Sequence, residues 1–360
     1  MRWWPIRRAL AFALCAALAV PAAKAGPDYP PVLPGTVMRF PADGGAHPDF
    51  RTEWWYVTGW ITDERGVERG FQVTFFRVRT GIGEDNPSRF APRQLVLAHA
   101  AIADPAVGRL LHAERSERAL DPLAGAATGA TRVWIRDWQL EWAQDHYRSR
   151  VDAGSFAFDL RFDPSGPPVL NGDKGFSQKA GDAKHASHYY SRPQLAVSGS
   201  LRVDGATVPV KGRAWLDHEW SSELLPDGAR GWDWIGINLH DGGSLMAFRM
   251  RDERGGSMWS SGTLRTAAGE TRALRPAQVA FTPQRRWRSP RTGAEYAVEW
   301  DIDIDGRRLQ LRPLLDDQEL DSRRSTGAVY WEGAVRLFEA GREIGRGYLE
   351  MTGYAERLRM

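Results

Sequence analysis

Three titratable residues, Asp217, His218 and Glu219, follow one another between Trp215 and Trp220. On a β-strand, Asp217 and Glu219 share one face and His218 points to the other. Two carboxylates on one face repel each other, and apolar neighbours further disfavour the charged form, so the pKa of one carboxyl group should rise. A carboxylic acid that is neutral at neutral pH can donate a proton. The triplet therefore predicts an acid catalyst or, alternatively, an interdomain hydrogen-bond network in which these groups only satisfy one another.

Short segments of alternating apolar residues surround this triplet, and no long amphipathic helical pattern is present. The segments are rich in Trp, Tyr, Phe, Val and Ile and are bounded by Gly, Asp or Pro, as strands are. The predicted strands cover residues 54–61, 71–79, 95–102, 133–142, 155–162, 195–203, 232–239, 245–251, 296–303, 308–313, 328–337 and 344–354. Asp204-Gly205 and Asp305-Gly306 predict hairpin turns. Many short strands at close spacing predict an all-β fold of sandwiches or barrels.

The first two of these strands resemble two strands later in the chain. Residues 54–57 (WWYV) resemble residues 232–235 (WDWI), which lie 178 positions further on. Residues 76–79 (FRVR) resemble residues 248–251 (FRMR), which lie 172 positions further on. Matching aromatic residues and paired arginines favour an internal duplication over chance similarity.

The length of the chain supports two domains. It has 360 residues, more than the roughly 250–300 residues that one hydrophobic core usually serves. Pro193 lies between the two similar segments, residues 54–79 and residues 232–251. We therefore predict an N-terminal domain over residues 26–194 and a C-terminal domain over residues 195–360.

Residues 1–25 have the order of a secretory signal peptide. Arginines precede an apolar run over residues 9–22, and Ala23-Lys24-Ala25 forms an A-x-A cleavage site. The run is too short to span a bilayer of about 30 Å. We expect cleavage after Ala25 and a periplasmic or secreted product, with a retained N-terminal anchor as the lesser alternative.

Removal of residues 1–25 changes the charge and the thiol content. The full chain has 48 Lys and Arg against 45 Asp and Glu, and four of the bases lie in this segment, so the remainder has a net charge of −1. The basic excess that would suggest a nucleic-acid partner is therefore lost. The only cysteine, Cys15, leaves as well, which excludes disulfides and thiolate chemistry.

The aromatic content indicates an apolar ligand. Fourteen of the 16 tryptophans lie after residue 25. Most must belong to the core, but some are expected to line a pocket, because a closed antiparallel barrel of about eight strands can hold one small molecule. The predicted ligand-binding residues are Trp54, Trp55, Tyr56, His218, Glu219, Trp232 and Trp234.

Several stretches resemble one family in the same order along the chain. Residues 53–59 (EWWYVTG) resemble the opening signature of the carotenoid 1,2-hydratase and AttH-type proteins. The other matching stretches are residues 99–104 (HAAIAD), 172–179 (GDKGFSQK), 188–193 (HYYSRP) and 212–220 (GRAWLDHEW). This resemblance implies two antiparallel lipocalin-like (calycin) barrels in tandem.

The same resemblance implies candidate site residues. Hydratases of the family add water across the terminal alkene of an acyclic carotenoid without a cofactor, and fungal relatives promote intramolecular cycloadditions. Their proton-donating aspartate falls on Asp217, and their other site residues fall on His188, Tyr190 and Trp215. Hydratases have a Trp-Asp-His-Asn stretch where this chain has Leu216 before Asp217, which places it nearer the AttH-type branch.

Other chemistries find less support in the sequence. No H-E-x-x-H or comparable metal-ligand spacing is present, and the family resemblance implies neither a metal nor a cofactor, so we expect none. A serine hydrolase would need a G-x-S-x-G elbow, which the chain lacks. Glu53, beside three aromatic residues, is expected to be a buried structural carboxylate paired with an arginine such as Arg77 or Arg249.

Two functional hypotheses follow. The protein is an exported binder or carrier of a hydrophobic lipid or isoprenoid, or it is a cofactor-free lyase, hydratase or cyclase that protonates an alkene with Asp217. A cavity acid without an ionic partner would favour the enzyme, and fully ion-paired carboxylates would favour the binder. Transient contact with a membrane fits either hypothesis, and protein partners are left open.

Overall fold

The computed structural model describes residues 28–358, and their regular secondary structure is almost entirely β. Helix is limited there to two 3₁₀ turns, Ala42–Gly44 and Pro276–Gln278. Within this range no helix is long and apolar enough to cross a membrane. The predicted signal peptide lies outside the described residues. The all-β prediction is confirmed.

Thirteen antiparallel strands form the first barrel. They are β1 Thr52–Asp63, β2 Glu68–Arg79, β3 Gln94–Asp104, β4 Arg109–Arg118, β5 Ala124–Ala126, β6 Arg132–Ile135, β7 Trp138–Ala143, β8 His146–Asp152, β9 Phe156–Asp163, β10 Val169–Leu170, β11 Phe176–Gln178, β12 Ala186–Val203 and β13 Ala206–Ser221. Their order is β4-β3-β2-β1-β13-β12-β9-β8-β7-β6-β5, and β10 and β11 pair with β12. This sheet closes almost completely on itself.

The second barrel has ten strands in a similar order. The remaining strands are β14 Ala229–Leu239, β15 Ser244–Asp252, β16 Ser257–Arg265, β17 Thr271–Leu274, β18 Val279–Pro283, β19 Arg286–Arg288, β20 Glu295–Ala297, β21 Trp300–Ile304, β22 Arg307–Pro313, β23 Glu319–Ser322, β24 Ala328–Glu339 and β25 Arg342–Met351. The order is β17-β16-β15-β14-β25-β24-β22-β21-β18, with β23 against β24 and β19-β20 as a separate hairpin. The two lipocalin-like barrels predicted in tandem are confirmed.

Alternation along the strands sends one set of side chains into each barrel and the other set outward. Trp55 and Phe75 belong to the filled interior of the first barrel, and Trp331 and Leu349 to that of the second. The outward faces of the two sheets form a third apolar cluster, which includes Trp215. The barrels therefore pack against each other through aromatic outer faces.

The predicted division at residues 194/195 falls inside a single strand. Strand β12 continues past Pro193 and pairs with β9 and β13 of the first sheet. Pro193 lies in a register shift between Arg192 and Leu195, where Gln194 has a φ of 59°. A proline is tolerated at such a bulge, so it does not end the strand here. The chain passes from the first sheet to the second between Ser221 and Ala229.

The strand registers correct the alignment of the internal repeat. Glu53 lies opposite Arg77 in the first hairpin, and Asp233 lies opposite Arg249 in the second. The arginines are 172 positions apart, as predicted, but the matching acids are 180 positions apart rather than 178. Trp54 therefore corresponds to Trp234, which preserves the face on which each residue lies.

Two predicted strands are each divided into two strands, and two predicted turns are present. Residues 133–142 divide into β6 and β7, and residues 296–303 divide into β20 and β21. Asp204 and Asp305 have positive φ and precede glycines with positive φ, as two-residue hairpin turns require. Composition identified the turns that contain Asp-Gly, whereas the turn at Arg136-Asp137 has no such signal.

Several contacts hold the barrels together. Trp60 donates a hydrogen bond to the carbonyl of Gly347 over 3.0 Å. Glu68 of the first barrel pairs with Arg336, at 2.7 Å, and with Arg346 of the second. A Cβ at Gly70 would lie 2.6 Å from the Cβ of Ala334, so the sheets approach too closely there for a larger residue. These contacts fix the relative position of the two outer faces.

Candidate active site between the barrels

A cavity of about 700 Å³, counting its open mouth, lies between the barrels. The first barrel and the segments that follow it contribute Trp54, Tyr56, Thr74, Phe76, Lys179, Asp217, Glu219 and Leu224. The second barrel contributes Trp232, Trp234, Phe248, Met250, Tyr330, Glu332 and Glu350. Aromatic side chains from both barrels thus enclose four carboxyl groups and one lysine.

Strand pairing places Asp217 in this wall. Residues 215, 217 and 219 of β13 face outward, and Tyr56 of β1 lies directly opposite Asp217 on one side. On the other side Asp217 lies opposite Ser191 of β12. The alternation predicted from the sequence, with Asp217 and Glu219 on one face, is what brings both carboxyl groups to the cavity.

Three neutral groups donate hydrogen bonds to the carboxyl group of Asp217. Tyr189 Oη lies 2.7 Å from Oδ2, while Ser191 Oγ and Trp215 Nε1 lie 2.5 and 2.6 Å from Oδ1. Tyr189 in turn accepts a hydrogen bond from Trp234 Nε1 over 3.0 Å. No salt bridge to Asp217 occurs among the described residues, so the carboxyl group is oriented without being neutralised.

The environment raises the pKa of Asp217 to about 7. Burial is the largest cause, because only 3% of the residue is exposed and a charge there loses its hydration. The nearby charge of Glu219 raises the pKa further, whereas the three donated hydrogen bonds lower it. Asp217 can therefore hold a proton or release it near neutral pH.

Glu219 differs from Asp217 in having a cationic partner. Lys179 Nζ lies 2.6 Å from its Oε1, and Ser187 donates a hydrogen bond to the same oxygen. The ammonium group also lies 4.5 Å from the ring centroid of Phe248. Lys179, which had no role in the sequence analysis beyond its matched motif, thus supplies the counter-charge of one cavity carboxylate.

A second pair of acids lies on the wall of the other barrel. Glu332 and Glu350 are directly opposite each other on β24 and β25. Burial raises the pKa of Glu332, and the charge of Glu350 raises it further. Burial likewise raises the pKa of Glu350, to about 8, with contributions from Glu219 and Asp217. This pair therefore keeps its protons to higher pH than exposed glutamates do.

Four residues that the sequence analysis assigned to the site lie on the inner side of the first sheet. Trp55 and Tyr190 belong to the core of the first barrel, and His218 stacks on Trp55 at 4.6 Å. His188 lies 5.4 Å from the ring of Trp220, and burial lowers its pKa to about 4. Because neighbouring residues on a strand face opposite ways, these four do not meet Asp217 in the cavity.

Glu53 is the buried centre of that inner face. Its carboxylate accepts hydrogen bonds from His47 Nδ1 at 2.7 Å, His218 Nε2 at 2.8 Å and Arg77 Nε at 2.8 Å, and from the His47 amide at 2.9 Å. Burial acts to raise the pKa of Glu53, but the bonds from His218 and His47 and the charge of Arg77 hold it well below its usual range. The predicted pairing with Arg77 is present, while Arg249 pairs with Asp233 at 2.6 Å.

His47, Glu53 and His218 also have their potential metal-ligand atoms within 4.8 Å of one another. Both imidazoles already bond to the carboxylate, and the guanidinium of Arg77 takes its other oxygen. A metal ion would have to displace these bonds beside a fixed positive charge, which Coulomb repulsion disfavours. The donor set fits an ion-pair cluster better than a metal centre.

The cavity combines predicted residues with residues that the sequence analysis did not select. Trp54, Tyr56, Glu219, Trp232, Trp234 and Asp217 line it, and Trp215 bonds to Asp217. The sequence did not predict Tyr330, Glu332 and Glu350 in the cavity wall, nor Tyr189 and Ser191, which bond to Asp217. The matched motif at residues 188–193 contains Tyr189 and Ser191, but the side of the sheet on which they lie depends on the strand register. Glu332 and Glu350 have no local motif, and only the repeat could have suggested a second wall.

The fold and this cavity define a double lipocalin-like barrel protein with an acidic site between its barrels. The model of the AttH-like family matches residues 31–354, and the chain belongs to that family. No curated protein matches the chain.

Solved structures show the same fold. An AttH protein (NE1406) from Nitrosomonas europaea is 48% identical, with a TM-score of 0.85, and the match covers 90% of this chain and 99% of that one. Kievitone hydratase from Nectria haematococca is 18% identical, with a TM-score of 0.65, over 92% of this chain and 97% of that one. CghA is 13% identical, with a TM-score of 0.52, over 84% and 89% of the two chains. The latter two show the fold alone.

Proposed function

We propose that this protein is a cofactor-free, hydratase-like enzyme that protonates an alkene in a hydrophobic small molecule, with Asp217 as the acid. The observation that carries the proposal is a buried carboxyl group with a pKa of about 7 and no ionic partner in an aromatic cavity. Of the four cavity carboxyl groups, only Glu219 has a lysine partner within residues 28–358. This is the arrangement expected of an acid catalyst rather than of a carrier.

The walls fit the two steps of such a reaction. Protonation of a substituted alkene by Asp217 leaves a carbocation, which water then captures to give an alcohol. The aromatic rings of Trp54 and Trp232 line the cavity and can stabilise the cation by cation–π attraction, which is worth about 2 kcal/mol or more when desolvated. Tyr189, Ser191 and Trp215 hold the acid in one orientation and stabilise the carboxylate left after transfer. The fold of kievitone hydratase, a protein named for hydration, is in keeping with this class of reaction.

Labelled water provides the test. The protein is incubated in H₂¹⁸O with a panel of acyclic isoprenoid alkenes, and the products are searched for ¹⁸O by mass spectrometry. Asp217→Asn keeps the shape and removes the proton, so turnover should fall by ~10²–10⁴. Binding of N-phenyl-1-naphthylamine, a neutral hydrophobic fluorophore, should persist. Asp145→Asn, at an exposed side chain, is the matched control. Equal ¹⁸O incorporation by wild type and Asp217→Asn would refute the assignment.

A carrier of hydrophobic molecules is the second candidate, favoured by the aromatic lining of the cavity. It predicts that lipids or isoprenoids co-purify with the native protein and that Asp217→Asn leaves them bound and chemically unchanged. Organic extraction followed by mass spectrometry decides this point. We also propose export with cleavage after Ala25, on the sequence pattern of residues 1–25, and the mass of the mature protein tests it.

A further inference from the structure

A chain of hydrogen bonds leads from the cavity to the surface. Tyr330 lines the cavity, and its hydroxyl bonds to Nδ1 of His99, which is fully buried. His99 Nε2 lies 2.9 Å from Ser325 Oγ. Ser325 bonds in turn to Glu114 Oε2, and both residues are half-buried and line a surface depression. The four residues alternate between the second and the first barrel.

Donor and acceptor capacities set the direction of every bond in this chain. The carboxylate of Glu114 can only accept, and it also accepts from the backbone amide of Ser325 at 2.9 Å. The Ser325 hydroxyl is closer to Glu114 than to the Ser322 carbonyl, at 3.3 Å, and so donates to the carboxylate. It must then accept from Nε2–H of His99, which leaves Nδ1 to accept from Tyr330.

His99 is suited to pass a proton without storing one. Burial lowers its pKa to about 3, so the ring is neutral and carries a single N–H. One ring nitrogen can accept while the other donates, and the ring gains no net charge. The ring of Phe76 packs edge-on against His99, at a centroid distance of 5.2 Å.

We infer that Tyr330, His99, Ser325 and Glu114 form a proton relay that carries the proton lost by the attacking water from the cavity to the solvent. The inference rests on the proposed function. As water captures the cation, its proton passes to Tyr330 Oη while the Tyr330 proton moves to Nδ1 of His99. The Nε2 proton moves to Ser325 Oγ, and the Ser325 proton moves to Glu114, which releases it. This transfer leaves His99 with its proton on Nδ1. The reverse transfer, from solvent through Glu114, Ser325, His99 and Tyr330 to the cavity, returns a proton to Asp217 and restores the proton on Nε2. Alkene and water thus give alcohol with no net change in the protein.

Proton exchange of the cavity acids tests the relay without turnover. At pH 6 Asp217 and Glu350 are largely protonated, so their carboxyl C=O stretch is visible by infrared spectroscopy. The protein, with N-phenyl-1-naphthylamine in the cavity to cover its mouth, is mixed rapidly with D₂O. Exchange in Ser325→Ala and Tyr330→Phe should be slower by at least about tenfold, equivalent to about 1.4 kcal/mol in the transfer barrier. Thr326→Ala, in the same turn, is the control and should exchange at the wild-type rate.

Two outcomes would overturn the relay. The first is proton exchange of the cavity acids at the wild-type rate in Ser325→Ala. The second is exchange slowed equally in Thr326→Ala, which would show that the turn is disturbed and not that the relay is broken. Nitrogen-15 NMR of the unmodified protein adds an independent check, because the neutral His99 ring must carry its proton on Nε2. A proton on Nδ1 would reverse the chain and exclude the direction inferred. If the variants slow proton exchange but no ¹⁸O is incorporated from labelled water, the proposed hydration is refuted while the proton pathway is supported.

Discussion

Two buried carboxyl groups lie on adjacent strands of one sheet and face opposite ways. Glu53 on β1 points into the first barrel, and Asp217 on β13 points into the cavity between the barrels. Glu53 meets Arg77 and two imidazoles, and its pKa is well below the usual range. In the described part of the chain Asp217 bonds only to neutral donors, and its pKa rises to about 7. At similar burial, the charge of the partner therefore decides whether a carboxyl group stays ionised or carries a proton.

The second barrel shows the same division. Asp233, at the position equivalent to Glu53, pairs with Arg249 at 2.6 Å and Arg251 at 3.1 Å inside the barrel. Glu350, on the cavity side, has no arginine or lysine within salt-bridge distance among the described residues, and its pKa rises to about 8. Inward acids thus serve the fold, whereas Asp217 and Glu350 on the cavity side have no cationic partner among the described residues.

The largest expected effect is on stability, from Glu53→Gln. This variant leaves the guanidinium of Arg77 buried without its counter-charge, which costs about 3–5 kcal/mol in the free energy of unfolding. Urea denaturation monitored by tryptophan fluorescence measures the loss. Glu223→Gln, at an exposed residue paired with Lys184, is the control and should change the free energy by less than about 0.5 kcal/mol. If Glu53→Gln lowers the free energy of unfolding no more than the control does, the structural role assigned to Glu53 is wrong.

The pH dependence of stability should separate the two acids. An acid whose pKa is raised by folding contributes stability below its unfolded pKa, and this contribution is lost as pH rises to the folded value. For Asp217 the window runs from about pH 4 to about pH 7, at about 1.4 kcal/mol per pH unit. Asp217→Asn should flatten this slope.

The reverse sign applies to Glu53, because its pKa is lowered by folding. Its contribution is present above the unfolded pKa and is lost as pH falls, so Glu53→Gln should flatten the acid limb only. Denaturation curves between pH 3 and pH 9 compare both variants with the wild type. Identical pH profiles for the two variants would contradict the assignment of opposite shifts.

A smaller effect is expected when one donor to Asp217 is removed. Tyr189→Phe deletes the hydroxyl that lies 2.7 Å from Oδ2, and with it a hydrogen bond that lowers the pKa of Asp217. A hydrogen bond to a charged group contributes about 1.5–3 kcal/mol, so the pKa should rise by at least about one unit. Carbon-13 NMR of the labelled carboxyl group follows the titration. Tyr147→Phe, in the core of the first barrel, is the control and should leave the pKa of Asp217 unchanged.

The smallest effect concerns the contact between the barrels. Glu68 is partly exposed and joins Arg336 and Arg346 across the interface. Glu68→Gln should cost about 0.2–1 kcal/mol, and the difference from wild type should shrink at high salt because exposed ion pairs are screened. Thermal melts at low and high ionic strength check this. A salt-independent loss would point to packing rather than charge.

The sequence predicted the fold better than it predicted the site. Period-two alternation revealed the strands and placed Asp217 and Glu219 on one face. The alternation could not show which face turns into the barrel, because both faces of this sheet are apolar. Trp54 and Trp55 were therefore both predicted to bind the ligand, although they face opposite sides. Ser191 becomes a partner of Asp217 only through the register of β12 and β13. Glu332 reaches the cavity through the packing of the second barrel, which no local pattern encodes.

The covalent link between the barrels has a consequence for the cavity. Each barrel supplies one wall, and the chain crosses between the two sheets once, through residues 222–228. A short tether of this kind holds its partner at an effective concentration on the order of millimolar. The two walls therefore meet as an intramolecular event, and the site persists at dilutions at which a dimer of separate barrels would come apart.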